Sequence, residues 1–270
     1  MTDGKVIFRA EFSNGYSIRH LFLILSIISL TGGMTVSKDR ISITRCNVAQ
    51  TVLACVSIDR SDDPNGIWLY DWPEKKLTIN FLPKDMKTSL EHVRKGAKVV
   101  FSLTSKDGNA PRDFDISIIE SSENDVNSVK VKLQNREDES EYVVQGSYNS
   151  EPSISLPMKE LTSVCSNFKR KKADVHIEGY EKGVIMSTSE EGGDFETSSL
   201  TVKRGVTDGK QSEANIVVEN FVMGAMLPFK NIDSMNGSAN FYFKRDLPVK
   251  LSSKIYVYGD IDLFLRSSLR

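Results

Sequence analysis

The side chains best suited to chemistry are three cysteines and three histidines, and neither set has the spacing of a reactive or metal-binding site. Cys46, Cys55 and Cys165 are odd in number and include no C-x-x-C pair, so they predict neither a disulfide framework nor a zinc site. The histidines, at positions 20, 92 and 176, are scattered along the chain. Thiols of this kind favour a reducing intracellular compartment, and no metal or other cofactor is expected.

The sequence also lacks the common motifs of enzymatic catalysis. It contains no phosphate-binding G-x-x-x-x-G-K-[ST], no G-x-S-x-G and no H-E-x-x-H, each of which places particular atoms for one type of reaction. The acidic pairs Glu190 with Glu191 and Asp62 with Asp63 fall in polar turns, where solvated carboxylates are the simpler interpretation. Cys165 falls on the apolar face of a predicted helix, as a core thiol would. The sequence therefore predicts a protein that is not an enzyme.

Composition narrows the class of protein further. The chain has 270 residues, of which 39% are hydrophobic and 26% are charged, as in an ordinary globular protein of about two domains. This excludes a disordered chain, a collagen, a coiled coil and a multi-span membrane protein. Lys and Arg number 35 and Asp and Glu 36, so any binding of nucleic acid must come from an uneven placement of charge.

One strongly apolar segment, residues 21–30 (LFLILSIISL), needs an interpretation of its own. Ten residues are too few to span a bilayer, and the acidic residues Asp3 and Glu11 precede the segment without an A-x-A site after it. A buried helix is the favoured interpretation, and a targeting signal is the alternative.

The elements that would position any site form a unit that recurs four times: an apolar helix, a strand, a tight polar turn and a second strand. The first strands begin near residues 34, 98, 174 and 238, so units one and three, and units two and four, are each 140 residues apart. Such spacing predicts a duplicated α+β domain. Helices are predicted over residues 16–30, 83–93, 157–168 and 219–232, the last kinked or starting late because of Pro228. Further strands are predicted at 48–58, 66–70, 77–81, 126–133, 197–202 and 255–258.

An acidic stretch separates the two halves. Residues 136–150 (REDESEYVVQGSYNS) contain four carboxylates that would be costly to bury, so they predict an exposed connector. The chain accordingly divides into a first domain over residues 1–135, the connector over 136–150 and a second domain over 151–270.

Local motifs at matching positions then resemble sliding clamps of the proliferating cell nuclear antigen family. Residues 8–12 (FRAEF), with Gly15 and Ile18, resemble the opening F-x-A strand and first helix of that family. Residues 161–189 are similar to the segment from the third helix into a D-x-V-x-I hairpin, with matches at Asp174, Val175, Ile177, Gly183, Val184 and Ser187. Residues 259–265 (GDIDLFL) resemble the terminal G-x-L-x-Y-Y-L strand. Together these motifs extend the resemblance over essentially the whole chain.

The chain also departs from the family. It is nearly neutral where the family is strongly acidic, and residues 224–229 (GAMLPF) replace a Y-L-x-x-F pattern in the fourth helix. After Leu265 the sequence continues as RSSLR where the family has A-P-K. These departures indicate a divergent member, of viral or protist type.

The resemblance implies an α+β clamp fold with two similar domains per chain, each of two helix–hairpin units. It further implies a homotrimeric ring with helices lining the hole and β-sheets outside. Such a ring is a polymerase processivity factor for DNA replication and repair, which encircles double-stranded DNA without sequence preference. Its partners would be a DNA polymerase, other clamp-binding peptides and a clamp loader, and no membrane is expected.

Residues for these roles follow from the same resemblance. The DNA-contacting cations would lie at or near the helices, namely Arg19, His20, Lys84, Lys87, Lys159, Lys169, Arg170, Lys171, Lys172 and Lys230, with Arg94 and Lys95 as further candidates. Clamp-binding peptides would contact a pocket beside the connector, formed by Val52, Tyr142, Val143, Val144 and Leu265. Subunits would join by edge-strand pairing through Val129, Val131, Leu133, Ser199, Leu200 and Val202.

Alternatives to the homotrimer stay open. The chain could be a clamp-like processivity factor that acts as a monomer or dimer, or one subunit of a heterotrimeric checkpoint ring. A β-rich structural protein is the most remote alternative, because jelly rolls have few helices between their hairpins. The resemblance implies a nuclear location, or a cytoplasmic replication compartment for a viral clamp.

Overall fold

The structure is a computed structural model that describes residues 4–60, 67–105, 113–120, 126–134, 148, 153–168, 175–180, 183–188, 196–201, 217–221, 225, 228, 237–244 and 246–267. The helices within these residues are α1 (Gly15–Ile28), α2 (Pro83–Ser89) and α3 (Met158–Phe168). The strands are β1 (Lys5–Phe12), β2 (Gly32–Ser37), β3 (Arg40–Cys46), β4 (Val52–Asp59), β5 (Trp68–Tyr70), β6 (Lys76–Phe81), β7 (Lys98–Ser105), β8 (Asp113–Ile119), β9 (Val126–Lys132), β10 (Ser153–Pro157), β11 (Val175–Tyr180), β12 (Gly183–Thr188), β13 (Glu196–Thr201), β14 (Val217–Phe221), β15 (Ser238–Tyr242), β16 (Val249–Ile255) and β17 (Gly259–Leu265).

The strands form three sheets. Five strands pair in the order β5-β1-β7-β8-β9, eight in the order β10-β15-β16-β17-β4-β3-β2-β6, and four in the order β13-β12-β11-β14. The four predicted hairpins are all present as antiparallel pairs, β2 with β3, β7 with β8, β11 with β12 and β15 with β16. The predicted repeat of hairpins is therefore confirmed.

The chain divides into two compact units. Unit 1 consists of Met1–Arg45, Cys55–Glu141 and Lys254–Ile261, and unit 2 of Cys46–Ala54, Tyr142–Ser253 and Asp262–Arg270. Helices α1 and α2 belong to unit 1, and α3 belongs to unit 2. Of the predicted connector only residue 148 is described, so the domain boundary at 136–150 remains a prediction.

The core of unit 1 forms between α1 and the five-stranded sheet because both present apolar faces. Alternation along β1 directs Phe8 and Phe12 to one side, where both are buried. Phe101 on β7 lies 5.2 Å from Phe12 and 5.9 Å from Phe22 of α1, in edge-to-face geometry. The apolar segment 21–30 thus supplies the buried face of a helix, as predicted. Among the described residues no helix is both long and apolar enough to cross a membrane.

Helix α1 begins where its sequence provides a cap. The Oδ1 atom of Asn14 accepts a hydrogen bond from the backbone N–H of Ser17 at 3.2 Å, which satisfies a donor of the first turn. The backbone N–H of Gly15 donates to the carbonyl of Ala97 at 2.9 Å. A Cβ at Gly15 would lie 2.8 Å from that same oxygen, so glycine allows the close approach of helix and strand.

The core of unit 2 is built in the same way. Helix α3 buries Leu161, Val164 and Cys165 at i, i+3 and i+4 spacing. Strand β11 buries Val175 and Ile177 by alternation. Helical spacing of apolar residues therefore predicts α3, and alternation of apolar residues predicts β11. Helix α3 begins one residue after the predicted start because Pro157 ends β10.

Four predicted elements differ from the structure. The strand predicted over 48–58 begins only at Val52, because residues 48–50 turn between β3 and β4. Residues 217–221 belong to strand β14, which pairs with β11, whereas the fourth helix was predicted to begin at 219; consecutive valines favour the extended backbone here. In the described part of 222–236, Ala225 is α-helical and Pro228 lies in a 3-10 helix, so helical residues first occur after β14, in agreement with the predicted late start. Residues 256–258 are the turn between β16 and β17, closed by a 3.0 Å bond from the Tyr258 N–H to the Ile255 carbonyl, rather than a strand. Helix α2 ends at Ser89, four residues before the predicted end.

Candidate nucleic-acid interface

The two helices of unit 1 run in opposite directions, so that the start of α1 lies beside the segment that follows α2. The guanidinium of Arg19 donates from Nη1 to the carbonyl of Val93 at 3.0 Å. At the other end of α1, a Cβ at Gly32 would lie 2.7 Å from the ring of Pro83, which begins α2. The cations of both helices therefore lie in one layer of unit 1.

Positive charge on this layer comes mainly from α2 and the residues after it. Residues 83–95 contain four basic and two acidic side chains. Lys84 and Lys87 on α2 are exposed, as are Arg94 and Lys95. Their exposure makes these four cations accessible to an anion from solvent. Their contact with DNA stays a prediction, and contacts to phosphates carry no base specificity.

Helix α1 contributes fewer cations than the segment formed by α2 and the residues after it. The cations of α1 contact neighbouring residues. Arg19 and His20 are half-buried. The Arg19 Cζ atom lies 5.8 Å from the ring centroid of Tyr16, and the His20 ring lies 4.4 Å from the same ring. Further along, the outer side of α1 is apolar, with Ile27 and the following Leu30 exposed. The charge of α1 is thus confined to its first turns.

In unit 2 the structure describes one of the predicted DNA-contacting cations. Lys159, in the first turn of α3, is exposed. Lys169, Arg170, Lys171, Lys172 and Lys230 lie outside the described residues. Their contact with DNA stays a prediction from the sequence.

Cys165 tests the prediction of a core thiol. The side chain is buried, and burial raises its pKa from 9.0 to about 12, because the thiolate would lose its hydration. A thiol held protonated in this way is not a nucleophile.

We therefore expect Cys165 of the folded protein to resist iodoacetamide at about pH 8, close to the pKa of a free thiol, while the half-buried Cys46 and Cys55 react faster. Mass spectrometry of tryptic peptides gives the three rates. In denaturant all three rates should converge. Labelling of Cys165 as fast as Cys46 in the folded protein would contradict this burial.

The residues predicted to bind clamp-binding peptides are placed differently. Val52 and Leu265 are only 2% and 0% exposed, so both belong to the core and offer a partner no surface of their own. The reason is alternation: each lies on the inward side of its strand. Tyr142, Val143 and Val144 lie outside the described residues.

The predicted subunit-joining strands are both sheet edges in the described part of the chain. Strand β9 ends the five-stranded sheet and β13 ends the four-stranded sheet. On β9, Val131 is buried while Val129 is exposed, and Leu133 just after it is half-buried. On β13, Ser199 and Leu200 pair with Ile185 and Val184 of β12, and Val202 lies outside the described residues.

A lysine enclosed by aromatic rings in unit 2 was not predicted. Lys250 Nζ lies 2.8 Å from Asp262 Oδ2 and between 5.3 and 5.9 Å from the ring centroids of Tyr148, Tyr242 and Phe264. The Tyr148 hydroxyl donates to the Pro248 carbonyl at 2.6 Å, and burial raises the pKa of Tyr148 to about 12. No spacing in the sequence indicates this cluster, because its members come from three strands, β15, β16 and β17, and from Tyr148, which lies outside the strands.

The described side chains provide no metal centre. Among the residues that the structure describes, no group of three or more His, Cys, Asp or Glu side chains could hold a metal ion. The exposed cations of the layer of α1 and α2 give this surface of unit 1 a positive charge that suits an anionic ligand.

Comparison with known proteins finds a similar fold among solved structures. A scan of the sequence against models of protein families finds no match, and neither does a search of the curated proteins. Among solved structures, the crystal structure of proliferating cellular nuclear antigen from Entamoeba histolytica is similar, with a TM-score of 0.78. The match covers 98% of this chain and 100% of that chain at 13% sequence identity. The chain therefore has a PCNA-like clamp fold, and the predicted α+β clamp fold is confirmed.

Proposed function

We propose that this chain is the subunit of a DNA sliding clamp, in which three copies close into a ring around double-stranded DNA. The observation that carries the proposal is the clamp fold itself, which extends over 98% of the chain. The ring would hold a DNA polymerase and other replication and repair proteins on their template. It catalyses no reaction in this role.

The charge distribution of unit 1 supports contact with the DNA backbone. Exposed cations lie on the layer formed by α1 and α2, at Lys84 and Lys87 of α2 and at Arg94 and Lys95 after it. A closed ring stays on DNA by topology, so its contacts can be weak, mobile and independent of sequence. Contacts of that kind go to phosphates and weaken as salt rises.

The two sheet edges support assembly by strand pairing. An edge strand leaves a row of unpaired N–H and C=O groups, which is a template for another strand. Pairing of β9 in one copy with β13 in the next would extend the sheet across the contact. Because this contact is head-to-tail, it must close into a ring or continue as a filament.

Partner proteins would bind beside the connector. We place clamp-binding peptides against Tyr142, Val143 and Val144, the apolar residues of an otherwise polar stretch. A clamp loader is a further proposed partner. The proposed location is the nucleus, or a cytoplasmic replication compartment if the clamp is viral.

Native mass tests the ring. Light scattering over a range of protein concentrations should reach a plateau at three times the 30.2 kDa of one chain. Val129→Asp should shift the mass toward one chain, because a carboxylate on an edge strand opposes pairing. Val48→Asp is the matched control, because Val48 is an exposed valine in the turn between β3 and β4.

The measured mass separates the self-closing ring from the alternative assemblies. A stable single chain or pair of chains would overturn the self-closing ring and leave a processivity factor of lower stoichiometry or one subunit of a mixed ring. If Val129→Asp and the unmodified chain both reach the trimer mass, the ring stands but β9 does not form the contact between subunits.

A further inference from the structure

Tyr16, in the first turn of α1, has two cations beside its ring. The Arg19 Cζ atom lies 5.8 Å and the Lys95 Nζ atom 5.6 Å from the ring centroid. Both distances fall within the range in which a cation is attracted to the face of an aromatic ring. Arg19 follows Tyr16 by one helical turn, whereas Lys95 comes from the segment after α2, so one ring joins the cations of two elements.

The two cations are held to different degrees. Arg19 is half-buried and donates one of its five N–H groups to the Val93 carbonyl at 3.0 Å, which leaves the others for a ligand. Lys95 is exposed, and a free lysine side chain would lose much rotamer entropy on binding. Its position beside Tyr16 reduces that loss.

The charges of Arg19 and Lys95 are not neutralised by a nearby acidic side chain in the described part of the chain. Among the described residues, no carboxylate forms an ion pair with Arg19 or Lys95. An acidic partner would orient these cations but cancel their charge. A neutral ring orients them and leaves both charges available to an anion.

We propose that Tyr16 is a positioning residue, which holds Arg19 and Lys95 ready to contact the phosphates of double-stranded DNA. This inference rests on the proposed function. It adds an aromatic side chain to a DNA-contacting surface that is otherwise proposed from basic residues alone. The gain comes from pre-organisation, since the number of cations is unchanged.

The experiment measures binding of a fluorescein-labelled short duplex to the full chain by anisotropy, between 50 and 200 mM salt. Tyr16→Leu should weaken binding roughly three- to tenfold, the size expected when a long charged side chain must be ordered on binding instead of being held beforehand. The slope of log affinity against log salt should not change, because no charge is lost. Lys95→Ala should instead reduce that slope by about one. Tyr16→Phe, which keeps the ring, should restore the affinity.

Two further variants separate positioning from folding. Tyr256→Leu removes an exposed tyrosine of unit 1 that has no cation beside its ring among the described residues, and it should bind as the unmodified chain does. If Tyr16→Leu unfolds, a fully fluorinated phenylalanine at position 16 keeps the shape of the ring and removes its attraction for cations. In the Lys95→Ala background, loss of the Tyr16 ring should cost less affinity than in the unmodified chain.

The results distinguish two failures. If the unmodified chain does not bind duplex at any salt concentration, the proposed phosphate contacts of unit 1 fail, and the inference fails with them. If the unmodified chain binds and either Tyr16→Leu or the fluorinated variant binds equally well, the inference alone is overturned. Loss of affinity in Tyr16→Phe equal to that in Tyr16→Leu would also overturn it, because the hydroxyl rather than the ring would then matter.

Discussion

Replacing Gly259 by alanine is expected to lower the free energy of unfolding by about 3 kcal/mol or more, if the variant folds at all. A Cβ at this position would overlap the carbonyl oxygen of Ser57 and lie 3.0 Å from the Cα of Ile58. Both are backbone atoms of β4, so no side-chain rotation relieves the overlap. Strand β17 would have to move away from β4 at its first residue.

Urea unfolding followed by tryptophan fluorescence gives the measurement. The two tryptophans of the chain, Trp68 and Trp72, both lie in unit 1, as does Gly259. Gly237→Ala is the matched control, because a Cβ there would meet nothing within 4 Å; we expect a change within about 0.5 kcal/mol. Equal unfolding midpoints for the two variants would refute the close approach.

The second large effect is expected at Lys250. Lys250→Met should destabilise unit 2 by about 2 kcal/mol, somewhat below the cost of breaking a fully buried ion pair, because the two side chains are still 19% and 26% exposed. Methionine keeps an apolar chain against the three rings but removes the charge. Asp262, whose Oδ1 atom is buried and has no hydrogen-bond partner among the described residues, would then lose its cation.

Lys254→Met shows how much of the loss at Lys250 is due to burial of the ion pair. Lys254 also forms a 2.8 Å ion pair, with Asp260, but these side chains are 64% and 41% exposed. Water screens such a pair, so the expected loss is below about 0.5 kcal/mol. Urea unfolding followed by circular dichroism compares the two variants, and Asp262→Asn should recover part of the loss in the Lys250→Met background. Similar losses at both lysines would contradict a role for burial.

Local patterns predicted most of the elements. The four hairpins follow from alternation and polar turns, and α3 follows from apolar spacing that places Leu161 and Cys165 on one face. The same reasoning failed at residues 219–221, where pairing with β11 decides for a strand. It also failed at 256–258, where residues of high strand propensity form a turn. Tyr256 there adopts a φ of 52°, in the left-handed region, because the chain has to reverse between β16 and β17.

The candidate interface was predictable in part. Exposure of Lys84, Lys87 and Lys159 follows from their positions on amphipathic helices. The pairing of Tyr16 with Arg19 could have been found from its i to i+3 spacing on α1. Its contact with Lys95 could not, because no local pattern relates residues 79 positions apart in the chain. Burial of Val52 and Leu265 likewise depends on which side of each strand meets the core.

The amino-acid sequence by itself determined the repeated hairpins, the apolar faces of the helices and the near balance of charge, because each depends on residues close together along the chain. Tertiary structure alone decided which distant groups meet: Lys95 with Tyr16, Gly259 with the backbone of β4, and Lys250 with Asp262 and three rings. These contacts depend on sheet order and on the close approach of packed elements, which local spacing does not encode.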